Sequence, residues 1–363
     1  MDELIYQLSL TKVPGIGNNL SKVLISYCGS AKKVFVEKKH ALLKIPGIGE
    51  NTANNIVKFK DFSPAETELE YVKKHKIKPI FFLDKEYPYR LKNYEDSPLV
   101  LFYLGNADLN KQRVLSIVGT RKSTIYGKQF TEELIEALAP YDVLIVSGLA
   151  SGTDTNAHKY ALKNNLQTVG VVGHGFHTIF PADNRQLAKE MLKNGGLLTE
   201  YWYKEVGNKE NFPMRNRIVA AMSDALIVVE SAEKGGSLIT AEWANNYNID
   251  VFSLPGRVND TYSKGCNKLI RENKSAIIDS IPELINILGY ELKSSKKQKQ
   301  LQLLPDLNEN EKKVYELLKQ GEMPIDQLHY HSKLSMSQLA LILLDFEFKG
   351  LINSLPGKTY SLK

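Results

Sequence analysis

Three cations and one aromatic ring crowd into nine residues at Lys209-Glu210-Asn211-Phe212-Pro213-Met214-Arg215-Asn216-Arg217. Cations in such a string follow a phosphodiester backbone, and an aromatic face takes a nucleobase by stacking, worth about 1–3 kcal/mol per base. The same arginines, just ahead of an apolar helix, equally suit buried ions paired with Glu200 or Glu230. The pattern therefore places Lys209 and Phe212 outside and shares Arg215 and Arg217 between site and core. A second candidate is Val118-Gly119-Thr120-Arg121-Lys122-Ser123. There Gly119 admits a phosphate close to backbone, Thr120 and Ser123 carry hydroxyls, and Arg121 offers a bidentate fork. A third is Gly235-Gly236-Ser237, a diglycine loop opening a helix, whose amides make an anion nest. Gly148, in Ser147-Gly148-Leu149-Ala150-Ser151-Gly152, ends a further apolar run in the same manner.

Other chemistries are set aside on spacing. The dinucleotide fingerprint G-x-G-x-x-G is missing after Val118, and Gly127-Lys128 is followed by Gln129 where a Walker A loop needs a hydroxyl. No nucleotide cofactor or ATP hydrolysis is expected. Asp154 and His158 stand four apart on one helix face, which fits an acid/base pair; a cap or support for the glycine loop is the preferred reading. His174 and His177 have no further ligand at metal-binding spacing, so no metal is expected. Cys28 and Cys266 are the two cysteines, too few for a disulfide framework or a four-thiolate site.

A near-repeat lies upstream: Val13-Pro14-Gly15-Ile16-Gly17 and Ile45-Pro46-Gly47-Ile48-Gly49, each between helical stretches. Helix, glycine turn and helix present backbone amides that suit a phosphate. The alternative is a purely structural turn in a small bundle. Two copies on a Lys-rich segment favour accessory DNA-backbone contacts at Gly15, Gly17, Gly47 and Gly49, contacts that carry no sequence information.

The elements that must position these groups follow from the apolar pattern. Runs at 115–120, 142–150, 168–175, 196–201, 224–231, 251–256 and 275–280 are near-continuous in Val, Ile and Leu and alternate with amphipathic stretches. That pattern predicts βαβ crossovers and a mostly parallel sheet covered on both faces, a Rossmann-like doubly wound α/β domain. Residues 1–75 read as helical, and residues 76–112 as an extension rich in turn signals, with Pro79, Tyr87-Pro88 and Ser97-Pro98. A polar, Lys-rich linker at 291–304 precedes a small module at 305–363. Three helices, one N-capped by Ser335 and stopped at Gly350, and a hairpin across Pro356-Gly357-Lys358 predict a winged helix. The expected domains are thus 1–75, 76–290 and 305–363.

The 363 residues are 43% hydrophobic and 24% charged, which excludes wholesale disorder. Lys and Arg exceed Asp and Glu by 47 − 41 = +6. Residues 1–80 hold thirteen Lys, no Arg and eight acids, so most of that excess sits there. No apolar run approaches the roughly 18 residues of a membrane span, and the acidic start lacks a signal-peptide build. A cytoplasmic protein without a membrane role is expected.

Together, IVGTRKSTIYG, VSGLASGTDTNAHKYAL, VGHGFHTIFPADN, NFPMRNRIVAAMSDALIVVE, GGSLITAEWA, DVFSLPG and KGCNKLI resemble, in order over about residues 113–275, the DNA-processing protein A (DprA/Smf) family. The resemblance implies sequence-independent binding of single-stranded DNA and loading of the RecA recombinase, with displacement of single-strand-binding protein, in natural transformation. It implies a homodimer formed through the Rossmann domain and no enzymatic activity. It assigns DNA contacts to Arg121, Lys209 and Phe212, with Gly119 and Gly148 lining the same basic pocket. The chain departs from the family pattern at His177, Phe180 and Trp202-Tyr203-Lys204.

Two other functions fit parts of the sequence. Arg215 with Gly235-Gly236 and Glu242 loosely resembles nucleoside-monophosphate phosphoribohydrolases, an enzymatic alternative whose spacing is offset here. A transcription factor would rest on the winged helix alone, and SMSQLALILLDFEFKG carries almost no basic residues to face a major groove.

Overall fold

The structure, a computed structural model, describes residues 3–291, 307–319, 321–349, 351–355 and 358–362. The chain divides into two compact units, residues 1–292 and 293–363. The expected linker at 291–304, the stop at Gly350 and the turn at Pro356-Gly357 fall wholly or mainly outside the described residues.

In the first unit, α1 (Glu3–Leu10), α2 (Asn18–Cys28), α3 (Ala31–Val36), α4 (Lys39–Leu42), α5 (Glu50–Lys58) and α6 (Ser63–Lys74) enclose a core that includes Leu8, Leu24, Leu42 and Ile56. The two glycine hairpins face each other with reciprocal contacts. A Cβ on Gly15 would stand 3.9 Å from Thr52 Oγ1, and one on Gly47 would stand 3.0 Å from Leu20 Cδ2. Leu20 and Thr52 occupy equivalent places in the two repeats, so the pair has local pseudo-two-fold symmetry. Gly15 and Gly47 both take φ +80, which requires glycine, while Gly17 and Gly49 are exposed N-caps of α2 and α5.

Among the described residues the sheet has nine strands: β1 (Lys78–Phe81), β2 (Val100–Gly105), β3 (Val114–Val118), β4 (Leu144–Ser147), β5 (Thr168–Val171), β6 (Gly195–Thr199), β7 (Ala225–Val228), β8 (Asp250–Ser253) and β9 (Ala276–Ile277). Their order is β1-β2-β6-β5-β4-β3-β7-β8-β9. From β6 to β9 every pairing is parallel; β2 runs antiparallel to β6, and β1 antiparallel to β2. The seven expected runs supply the parallel strands. The turn-rich extension, however, yields β1 and β2, because its Pro residues interrupt apolar segments without preventing pairing. Pro79 is tolerated because β1 is an edge strand.

Alternation splits each central strand between two cores. Val114 and Val118 face the side covered by Ile218, Val219, Ala241 and Ala244. Leu115 and Ile117 face Phe130, Leu134, Ala157 and Ala161. The first cover comes from α10 (Asn211–Ala221) and α11 (Gly236–Asn246), the second from α7 (Ile125–Leu138) and α8 (Thr153–Lys163). The remaining helices are α9 (Arg185–Met191), α12 (Lys264–Arg271) and α13 (Ile281–Ile287). Winding reverses between β3 and β7, which lie side by side although three strands separate them in sequence. In open α/β sheets that switch point is where ligands bind.

The helical region is tied to the sheet domain. Lys22 donates to the carbonyls of Tyr94 and Glu95 and to Ser97 Oγ, and Asn18 bonds Asp96 and Leu99. Half-buried in that carbonyl cage, Lys22 has its pKa lowered to about 8, burial outweighing the neighbouring carboxylates.

The second unit contains α14 (Glu309–Leu318), α15 (Ile325–Ser332) and α16 (Met336–Phe348), with β10 (Met323–Pro324), β11 (Ile352–Leu355) and β12 (Thr359–Leu362) in the order β10-β12-β11. Asn308 and Ser335 both form capping boxes, with Glu311 and Gln338. Three helices and a small antiparallel sheet make the expected winged helix. Leu341, Leu344 and Phe348 of α16 are exposed, so this helix presents apolar side chains where a DNA reader would present basic ones.

Candidate nucleic-acid interface

The cavity at the switch point holds about 550 Å³ and opens over the carboxyl ends of β3, β4 and β7. Of the sequence-derived residues, Gly119, Thr120, Arg121, Gly148, Lys209, Phe212, Arg215, Gly235, Gly236 and Ser237 all line it. Ser123 and Arg217 do not.

Close backbone packing forms the floor. A Cβ at Gly119 would stand 2.4 Å from Thr153 Oγ1, and one at Gly152 would stand 2.3 Å from the Thr120 carbonyl oxygen. Gly152 also takes φ +80. The loops after β3 and β4 therefore touch directly, and the Thr153 amide donates to the Thr120 carbonyl at 3.1 Å. Asp154 holds the second loop from below, accepting from the amides of Gly148 at 3.1 Å and Ala150 at 3.2 Å. It acts as a loop support, the preferred of the two sequence readings.

Arg215 closes the back wall. Its Nη1 donates to the carbonyls of Gly148, at 2.5 Å, and Val171. Burial lowers its pKa to about 10, partly offset by Asp154, so the guanidinium remains charged at neutral pH. Burial raises the pKa of Asp154, opposed by Arg215 and by the loop amides.

The open side carries the exchangeable cations. Arg121 and Lys209 are exposed and make no ion pair among the described residues. Phe212 packs on Gly173 and Gly207, where a Cβ would come within 3.1 Å of its ring, and tilts against Phe180 at 5.6 Å between centroids. Phe180 is 56% exposed. On the far side α11 begins at Gly236 without a side-chain cap, and the Gly236 and Ser237 amides have no partner among the described residues. Gly235 is sterically required, since a Cβ would meet Ser231 Oγ at 2.3 Å. The cavity thus combines free cations, a buried cation, unspent helix-end amides and an aromatic pair. These are the groups that bind phosphate and base together.

Two expectations are corrected. Arg217 is an internal ion: Nη2 lies 2.5 Å from Glu200 Oε2, its side chain is 5% exposed, and Asp96 stands 3.9 Å from its Nε. On α10 the cavity takes Phe212, Arg215, Asn216 and Val219, and a residue one step further turns about 100° away. Ser123 is directed instead at Glu230, whose buried carboxylate also accepts from the Thr124 amide at 2.9 Å and the Thr124 hydroxyl at 2.5 Å. Gly127 makes room for it, because a Cβ there would lie 2.3 Å from Glu230 Oε2.

Asn216, Ile239, Thr240 and Phe180 line the cavity without having been singled out as site residues. Asn216 was detectable as the i+4 neighbour of Phe212; Ile239 and Thr240 offered no distinguishing signal. Glu242, the carboxylate that N-glycosidic cleavage would need, is exposed on α11 and is not part of the lining. Among the described residues no cluster of three His, Cys, Asp or Glu could hold a metal, and no helix is long and apolar enough to cross a membrane. Of the accessory glycines, all four are exposed at the hairpin turns; α2, however, commits one face to residues 94–99.

Residues 78–289 match the family described as DNA recombination-mediator protein A. Residues 298–358 match the DprA winged helix domain, and residues 8–59 the SAM-like helix-hairpin-helix tandem. Protein Smf of Synechocystis is 30% identical over 99% of this chain and 98% of its own length. The DNA processing protein DprA of Bacillus subtilis is 44% identical over 53% of this chain and 65% of its own. Among solved structures, DNA processing protein A of Streptococcus pneumoniae matches with TM-score 0.68 at 30% identity, covering 79% of this chain and 98% of that one. The Helicobacter pylori DNA processing protein A, described for its single-stranded DNA binding mode, matches with TM-score 0.55 at 32% identity, covering 60% and 98%.

Proposed function

The chain belongs to the DNA recombination-mediator protein A family, and on that premise we propose that it binds single-stranded DNA without sequence preference in the switch-point cavity. One observation carries the reading. Arg121 and Lys209 stand unpaired at the mouth of a cavity whose wall includes the Phe212–Phe180 pair and whose floor is glycine backbone. Neither cation has a structural task, so both are available for phosphates, and the aromatic pair is sequence-tolerant because every base has a π-face.

In this reading the protein loads RecA onto the bound strand during transformation, in exchange for single-strand-binding protein, and acts as a cytoplasmic homodimer. It works by binding alone. The hairpin glycines Gly17 and Gly49 add backbone contacts, and the domains run 1–75, 76–290 and 305–363. Support for a binder over a phosphoribohydrolase comes from Asp154, the one carboxylate in the cavity lining among the described residues, which is occupied by loop amides and Arg215.

The test is fluorescence anisotropy with labelled oligo-dT and a duplex of equal length across a salt series. Preference for the single strand, weakening steeply with salt, is expected. Equal or absent binding overturns the reading. A RecA-filament assay on strands coated with single-strand-binding protein then tests the loading step.

A further inference from the structure

A second cavity is lined by the residues just before Phe180. It holds about 300 Å³, and Phe176, Ile179, Leu192 and Leu197 form its apolar floor, with Arg185 and Lys189 at its rim. The two cavities share no lining residue, yet one loop separates them: Phe180 faces the first, Phe176 to Ile179 the second. The loop is fixed from behind. Phe180 N donates to His174 Nε2 at 3.2 Å, the Gly175 amide to the Glu205 carbonyl at 2.8 Å, and the His177 amide to the Tyr203 carbonyl at 3.1 Å.

The rim cations have no internal work. Arg185 and Lys189 are exposed and make neither ion pair nor side-chain hydrogen bond among the described residues. Spaced by four on α9, they project on one side of the helix, within reach of two neighbouring carboxylates. His177, held through Nδ1 to the Tyr203 carbonyl at 2.8 Å, adds a third polar group to the lining. An apolar hollow next to paired cations matches an occupant that carries acids beside a large apolar side chain. The volume is at the bottom of the range for ligand pockets, about 300–1000 Å³, which suits one or two side chains.

We propose that this second cavity is a docking site for an acidic peptide segment of a partner protein, anchored by an aromatic or branched apolar residue in the hollow and by carboxylates on Arg185 and Lys189. Charge complementarity selects the occupant: the apolar floor supplies burial, and the two free cations supply orientation and encounter rate. Nothing in it depends on the proposed DNA binding, since the two cavities have separate walls.

The experiment uses the full chain and a fluorescein-labelled peptide of about nine residues, rich in Asp and ending in Leu-Phe. Anisotropy titrations compare the wild type with Arg185→Glu/Lys189→Glu, with Leu192→Gln, and with Arg121→Glu/Lys209→Glu. Thermal melts confirm that each variant is folded. Micromolar binding is expected, weakened at least about tenfold in the rim double variant and in Leu192→Gln, and unchanged in Arg121→Glu/Lys209→Glu. A peptide whose Asp residues are replaced by Asn should bind as weakly as the rim variant does. Absence of binding by the wild type overturns the proposal. So does binding lost only in Arg121→Glu/Lys209→Glu, which would put the peptide in the first cavity. Binding of oligo-dT or laurate that is lost in the rim variant, without peptide binding, assigns the pocket to another class of ligand and overturns it as well.

Discussion

Asp154 and Arg215 stand side by side behind Gly148, so close that a single methyl group at that glycine would lie 2.7 Å from Asp154 Oδ2 and 2.8 Å from Arg215 Nη2. The pair comes from different elements, the first turn of α8 and the middle of α10. Gly148 is where the two are brought into register. The loop after β4, the helix bearing Phe212 and the back wall of the cavity therefore share one contact.

Gly148→Ala is accordingly expected to lower stability by about 2–3 kcal/mol, since overpacking displaces two buried charges that have no other outlet. Gly236→Ala serves as the comparison. No atom lies within 4 Å of a Cβ there, and its melting temperature should match the wild type. Thermal denaturation of both variants checks the pair, and equal melting would show that the loop relaxes freely around the added methyl.

The mouth of the cavity should behave differently from its wall. Arg121→Glu and Lys209→Glu are each expected to weaken oligo-dT binding about tenfold or more at low salt. Each should also reduce the slope of log affinity against log salt by about one, without changing stability. Phe212→Ala should weaken binding through lost stacking, by about 1–3 kcal/mol, and leave the salt slope as it is. A common change in slope for all three would mean that the ring holds the loop and makes no base contact.

Much of this site was legible beforehand because it is built from local signals. Gly119-Thr120-Arg121, Gly148 and Gly235-Gly236-Ser237 each end an apolar run, and the switch-point rule gathers such ends at one place. The parallel strands were equally plain, since burial on both faces leaves continuous Val, Ile and Leu. Illegible were the relations set by distant partners. Arg217 carries the same signal as Arg215, and only its phase on α10 and its meeting with Glu200 take it out of the cavity. Ser123 lies outside the cavity lining because its hydroxyl turns to Glu230, 107 positions away. The strands β1 and β2 were hidden under proline signals. Trp202 and Tyr203 gave no hint of their role: Tyr203 stacks on Tyr71 and His75 at 5.0 and 4.7 Å, and Lys12 lies 4.4 Å over Trp202. Trp202 and Tyr203 thus seat the helical region on the sheet domain.

Arg217→Gln tests the corrected role directly. Removing the guanidinium leaves Glu200, 15% exposed, without its counter-ion. Breaking such a pair costs about 3 kcal/mol or more. The expected result is a clearly lower melting temperature with oligo-dT affinity kept within about twofold at a temperature where the variant is folded. Unchanged stability with lost DNA binding would return Arg217 to the interface.

His158 is expected to make the fold sensitive to acid. It is completely buried on α8, its Nδ1 lies 2.7 Å from Thr168 Oγ1, and its Nε2 has no partner among the described residues. The Thr168 hydroxyl donates to the Ile145 carbonyl at 3.0 Å, so the ring must donate from Nδ1, which leaves Nε2 unprotonated in an apolar setting. Burial, with Arg215 adding repulsion, lowers the pKa from 6.5 to about 3. A depressed base binds its proton later in the folded state than in the unfolded one. Stability from this residue is therefore complete above pH 6.5 and is lost as pH falls from 6.5 towards 3, at about 1.4 kcal/mol per unit. Asp154, whose pKa is raised, acts with the opposite sign at the acid end, so the two must be separated by difference. His158→Gln keeps a donor for Thr168 and removes the titration. Urea denaturation from pH 7 to pH 4.5 should show wild-type stability falling more steeply than that of the variant, the gap widening steadily below pH 6.5. Parallel curves would mean that the buried ring gains a proton without cost, which the unpartnered Nε2 argues against.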